Sequence, residues 1–222
     1  IREVLGEDSA VRIAFDEWNV WLDAGRDVML EERYELRDAL FAAGVFHALQ
    51  RTCADVSMAN LAQLVNVLPA ITTSRTGAWG TPLYHAFALY AGACQEIAVA
   101  CACAGPAFDA PAFGNIPALA GIACVDAAAT ISPDGRRLAL ALINRHRTEA
   151  AQVTLDIAGL GPVRGGEIAV LCGASERAAG SESAPAAVSI DRSPLPAGAD
   201  LGTQVLPAHS VVMMSLELGS AR

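Results

Sequence analysis

An α/β segment followed by an all-β segment is the architecture that this 222-residue sequence predicts. Three observations predict it. Residues 11–94 alternate strand, helix, strand, helix, the repeat of an α/β fold. After about residue 96 the pattern changes to short apolar runs broken by Gly, Pro and Asp, as in a β-sandwich or jelly roll. Between them, no shared periodicity bridges residue 95, so the division falls as 1–95 and 96–222.

The elements follow in order. Residues 1–10 are polar and can finish a helix. Residues 11–17 read as a strand, with Val11, Ile13, Phe15 and Glu17 on one face and Arg12, Ala14 and Asp16 on the other. The acidic, Gly-containing stretch 22–32 reads as a loop of the kind that rims a site. Glu32 to Cys53 reads as a helix, because Leu36, Ala39, Leu40, Ala43, Phe46 and Leu49 recur at three and four. Val56 to Ala62 is a second short strand. Thr73 to Gly80 reads as a loop from its Ser, Thr and Gly content. Thr81 and Pro82 then open a helix to about Cys94, as cap and first-turn proline. In the second half the strand candidates are 97–102, 122–131, 138–144, 152–157, 167–171, 187–190 and 210–218. Pro133-Asp134-Gly135 forms a hairpin turn between two of them.

Composition excludes several functions. The net charge of −9 and the absence of a basic patch argue against nucleic acid, which needs clustered cations. No apolar run is long enough to span a bilayer. All 15 cationic residues are arginine, so no Schiff-base or Walker lysine exists in the chain. The six cysteines form no CxxC pair and lack partner ligands, so no metal site is expected. Reduced, structural cysteines favour a cytoplasmic setting.

The run Val11 to Trp21 carries the chemistry. An apolar strand stops in Asp16 and Glu17, and Trp18, Asn19 and Trp21 follow. An ionised oxygen beside indoles suits a carboxylate held against a sugar ring. Glu17 inherits the direction of the apolar residues, which in a parallel barrel points inward at the strand end where active sites sit. Asp16 faces away and reads as a structural partner for a neighbouring element.

Three segments in order carry a resemblance: Phe15 to Trp21, Met58 to Val67, and Thr81 to Phe87. With the ending Pro207-Ala208-His209-Ser210-Val211-Val212, the chain resembles the C-terminal part of an α-L-arabinofuranosidase of glycoside hydrolase family 51. The resemblance implies the C-terminal end of a (β/α)8 barrel, with residues 11–17 and 55–61 as its seventh and eighth strands, followed by a β-sandwich. It implies a retaining hydrolase of terminal arabinofuranosyl linkages, without metal or organic cofactor. Glu17 matches the family's nucleophile, Trp21 its aromatic pocket wall, and Gln63 a glutamine that bonds the sugar or the nucleophile. Asn19 is a further amide donor for substrate or Glu17.

One departure stands out. The family's acid/base glutamate lies in an Asn-Glu pair, and this sequence has no such pair. The expectation is therefore a fragment that carries one of two catalytic carboxylates and is inactive alone. Its expected partners are arabinofuranose-containing oligosaccharides and, at full length, further copies of itself. The rival readings are a glycosidase of the same family acting on glucan or xylan, and a non-catalytic carbohydrate-binding protein. His47, His146 and His209 carry no argument, and Trp79 divides evenly between packing and shaping the leaving-group side.

Overall fold

The computed structural model describes residues 2–6, 9–21 and 30–220. Most of the expected rim loop, 22–29, lies outside the described residues. The first half contains α1 (Arg2–Leu5), β1 (Ile13–Trp18), α2 (Leu36–Arg51), β2 (Val56–Leu61), β3 (Ile71–Thr73), β4 (Ala78–Gly80) and α3 (Pro82–Ala93). Strands β1 and β2 pair in parallel around α2. They form an open pair among the described residues.

Helix α2 starts at Leu36 rather than Glu32, and the reason lies far along the chain. Its first free amides, on Leu36 and Arg37, donate to the carbonyls of Ala178 and Glu176 at 2.8 and 2.9 Å. Those acceptors fix where the helix can begin. Asp38 accepts from the backbone N–H of Glu35 at 2.7 Å, half of a capping box. Helix α3 begins at Pro82 as expected, but Thr81 does not cap it with its hydroxyl. That hydroxyl donates instead to the carbonyls of Pro69 and Ala70. The stretch 73–80, expected as a loop, is largely the β3–β4 hairpin, with Thr72 opposite Trp79.

The second half contains β5 (Ile97–Val99), β6 (Ala107–Ala110), β7 (Leu119–Ala123), β8 (Val125–Ile131), β9 (Arg137–Asn144), β10 (Ala151–Thr154), β11 (Val163–Gly173), β12 (Val188–Leu195), β13 (Thr203–Leu206) and β14 (Ser210–Leu218). Six of these form an antiparallel sheet in the order β12-β11-β14-β9-β8-β5. The run 122–131 is split between β7 and β8, which pair with different partners. Strands β6 and β13 have no counterpart in the sequence reading. In β13 only Leu206 is buried, so there is little apolar signal to read.

The sheet is covered on both faces. On one, Ala139, Ala141, Ile143, Ala169, Val211 and Met213 pack against Leu36, Ala39, Ala43, Ala86 and Leu89 of the two long helices. On the other, Leu140, Leu142, Val212, Met214 and Leu216 pack around Leu206 of the β10–β13 pair. A third cluster joins Trp18, Tyr34, Ala42 and Leu83, placing α2 and α3 between β1–β2 and the large sheet.

Candidate functional site

The site builds from the C-terminal end of β1. Val11, Ile13 and Phe15 are 54, 40 and 43% exposed, and Met58 on β2 is 53% exposed. This apolar face of the parallel pair is uncovered by any described residue. The register slips between Phe15 and Trp18, so the strand bulges where the two carboxylates stand. A bulge re-aims side chains, and simple alternation from Phe15 no longer places Glu17. Asp16 and Glu17 are both exposed, and neither makes a hydrogen bond or ion pair to a described residue. The structural partner expected for Asp16 is therefore not seen.

Trp18 turns the other way. It is 7% exposed and packs on Phe46 and Phe87, with ring centroids 5.7 and 5.9 Å away. This anchors the residue next to Glu17 in the helix layer. Asn19 acts as a clamp. Its amide donates to the carbonyls of Ala62 and Leu68 at 2.7 and 3.0 Å, and its oxygen accepts from the Val20 N–H at 2.8 Å. Both N–H bonds of the amide are thus committed to backbone, leaving Asn19 no free donor for a substrate. The buried Tyr34 adds a second tie, donating to the Val20 carbonyl at 2.8 Å.

Gln63 stands immediately after the residue that Asn19 holds. It is exposed, its N–H donates to Leu68 O at 3.2 Å, and the Ala62–Gln63 peptide is cis. Trp21 is 69% exposed. The fold therefore brings Glu17, Trp21 and Gln63 to one end of the parallel pair, their side chains exposed and unbonded among the described residues, and Asn19 ties that end together. Among the described residues no cluster of His, Cys, Asp and Glu could hold a metal ion.

A polar network that the sequence reading dismissed lies at the other end of α2. His47 is fully buried. Its Nδ1 lies 3.1 Å from Asp126 Oδ2, and its Nε2 lies 2.7 Å from the hydroxyl of Tyr90. Arg51 and Arg145 both pair with Asp126. Burial pushes His47 below its ordinary value, against the pull of Asp126. A neutral ring then donates from Nδ1 to Asp126 and accepts at Nε2 from Tyr90. Burial opposes ionisation of Asp126 too, but bonds from His47, Arg51 and Arg145 hold its carboxyl well below the usual carboxylate range. One signal could have found this network. His47 follows Ala39 and Ala43 at steps of four, which puts it on the buried helix face.

Comparison with known proteins shows what the chain as a whole is similar to. A family model described as the α-L-arabinofuranosidase C-terminal domain matches residues 16–210. An intracellular exo-α-(1→5)-L-arabinofuranosidase of Halalkalibacterium halodurans is 28% identical over 159 residues, covering 66% of this chain and 31% of that protein. The like-named protein of Bifidobacterium longum is 27% identical over 183 residues, covering 72% and 31%. The chain thus spans about a third of the length of these curated relatives. The family 51 α-L-arabinofuranosidase of Thermotoga petrophila superposes with a TM-score of 0.84 at 33% identity, over 93% of this chain and 43% of that one. The Thermotoga maritima enzyme, solved as an arabinose complex, gives 0.82 at 33% identity, over 93% and 43%. The match across residues 16–210, on the fold described above, means that this chain belongs to the family of α-L-arabinofuranosidase C-terminal domains.

Proposed function

We propose that this chain is the C-terminal portion of a retaining α-L-arabinofuranosidase of family 51, with Glu17 as its nucleophile. The observation that carries the reading is an exposed glutamate, without a partner among the described residues, at the C-terminal end of a parallel strand in a chain of this family. On this reading residues 1–95 supply the last two β/α units of a barrel and residues 96–222 the β-sandwich. The uncovered face of β1 and β2 fits a barrel interior that needs further strands.

The chemistry follows from the geometry that retention requires, two carboxyl groups about 5–5.5 Å apart. Ionised Glu17 attacks the anomeric carbon of a terminal arabinofuranosyl unit and the glycosidic bond breaks. The second carboxyl, from outside these residues, protonates the leaving oxygen and then deprotonates the water that releases the sugar. Trp21 supplies a stacking wall and Gln63 a hydrogen-bonding amide. Asn19 positions rather than contacts, because its donors are engaged. The substrates are arabinofuranose-containing oligosaccharides, the full-length protein is a homo-oligomer, and its compartment is the cytoplasm, in keeping with the relatives named intracellular.

Covalent trapping tests the assignment. A mechanism-based arabinofuranosyl inhibitor applied to the full-length enzyme, followed by peptide mass mapping, is expected to label Glu17. Glu17→Gln is expected to abolish labelling while leaving the circular dichroism spectrum intact. An adduct on another residue would refute the reading. The 222-residue chain alone is expected to show no turnover of an aryl arabinofuranoside.

A further inference from the structure

Val20 is gripped in three ways. Its N–H donates to Asn19 Oδ1 at 2.8 Å, its side chain packs on the cluster of Trp18, Tyr34, Ala42 and Leu83, and its carbonyl accepts from the Tyr34 hydroxyl at 2.8 Å. The last of these reaches furthest. The Val20 carbonyl shares one planar peptide unit with the N–H and Cα of Trp21. Fixing that oxygen therefore fixes the plane from which Trp21 hangs. The Trp21 residue is 69% exposed, so packing among the described residues does little to hold its ring, and the backbone directs it.

Tyr34 is placed to hold that oxygen still. It is buried in the helix layer. Burial, with Glu32 and Asp38 nearby, pushes its pKa up, so the phenol keeps its proton and stays a donor. Its backbone is tied from two directions. Leu30, four residues earlier, accepts at its carbonyl from the Leu68 N–H at 2.8 Å, and Leu36, two residues later, donates to the Ala178 carbonyl at 2.8 Å. Ala178 lies in the loop between β11 and β12. The second half of the chain thus fixes the start of α2, and the tyrosine just before it carries that constraint across to the end of β1.

We propose that Tyr34 is a positioning residue for sugar binding: its hydroxyl, through the Val20 carbonyl, sets the orientation in which Trp21 is presented at the Glu17 end of β1. The proposal rests on the reading of Trp21 as the stacking wall. Tyr34 touches no sugar in this account. It acts wholly through the peptide plane before Trp21.

Kinetics of the full-length enzyme on an aryl arabinofuranoside test this as a double-mutant cycle. Tyr34→Phe keeps the buried ring and removes only the donor. It should raise KM about three- to tenfold with kcat little changed, as when binding common to the ground and transition states is lost. Trp21→Ala should raise KM at least as much, and adding Tyr34→Phe to it should change KM no further. Tyr90→Phe, which removes a buried hydroxyl from the His47 network, should lower the melting temperature as Tyr34→Phe does but leave KM unmoved. That contrast separates positioning from mere loss of stability. An unchanged KM in Tyr34→Phe, a loss confined to kcat, or an undiminished effect in the Trp21→Ala background would overturn the proposal while leaving the wall reading in place. If Trp21→Ala alone leaves KM unchanged, the wall reading itself fails and the proposal falls with it.

Discussion

At the scale of single residues, the most consequential side chains are those that the chain hides. His47 is charged in the unfolded chain below about pH 6.5, its ordinary value, and is held below that value in the fold. A lowered folded value means stability that is present above pH 6.5 and is lost as pH falls through that window. Asp126 adds a contribution with the same sign, present above its ordinary value of 3.8 and lost in stronger acid. The urea midpoint should therefore drop between pH 7.5 and 5.5, and His47→Gln should flatten that slope while lowering the midpoint at pH 7.5. Asp126→Asn removes the shared negative charge and one of its two acceptor oxygens, and leaves two arginines facing a neutral amide. It should cost about 3–5 kcal/mol, read from urea titration at pH 7.5. Tyr90→Phe should cost about 1–2 kcal/mol, because only one donor is lost.

At the scale of elements, β1 shows how far periodicity carries and where it stops. The apolar run, the parallel partner 56–61 and the intervening helix are legible, because hydrophobic repeats are local. The bulge at Asp16–Glu17 is not, since it depends on register against β2. The role of Asn19 is likewise illegible, because its two acceptors lie 43 and 49 residues away. Asn19→Ala should free the carbonyls of Ala62 and Leu68 and loosen the turn that carries Gln63. The expected result is faster hydrogen exchange at the Gln63 amide, with a stability loss of about 1–3 kcal/mol. Unchanged exchange there would deny the clamp. The start of α2 makes the same point, as the carbonyls that receive its first turn belong to residues 176 and 178.

At the scale of the whole molecule, α2 and α3 serve two masters. They pack on Trp18, Ala59 and Leu61 towards the C-terminal end of β1–β2, and they cover one face of the six-stranded sheet. The composition change near residue 95 is legible, but the shared helix layer that joins the two halves is not, because it is written in contacts across that boundary. A piece cut to residues 96–222 should expose Ile143, Leu171, Val211 and Met213, all buried in the intact fold. It should bind the dye ANS and aggregate, whereas the intact chain should not show this on the sheet's helix-covered face.

Among the described residues, seven of the sixteen buried in the seam between helices and sheet are alanine: Ala39, Ala43, Ala86 and Ala93 on the helices, Ala139, Ala141 and Ala169 on the sheet. Alanine has no rotamers to freeze, so these contacts cost no side-chain freedom. The larger side chains among them, such as Leu36, Leu89, Ile143, Val211 and Met213, supply most of the buried surface. The alanines act as spacers that set how near the two layers stand, and a leucine at Ala141 would be a shim driven between them.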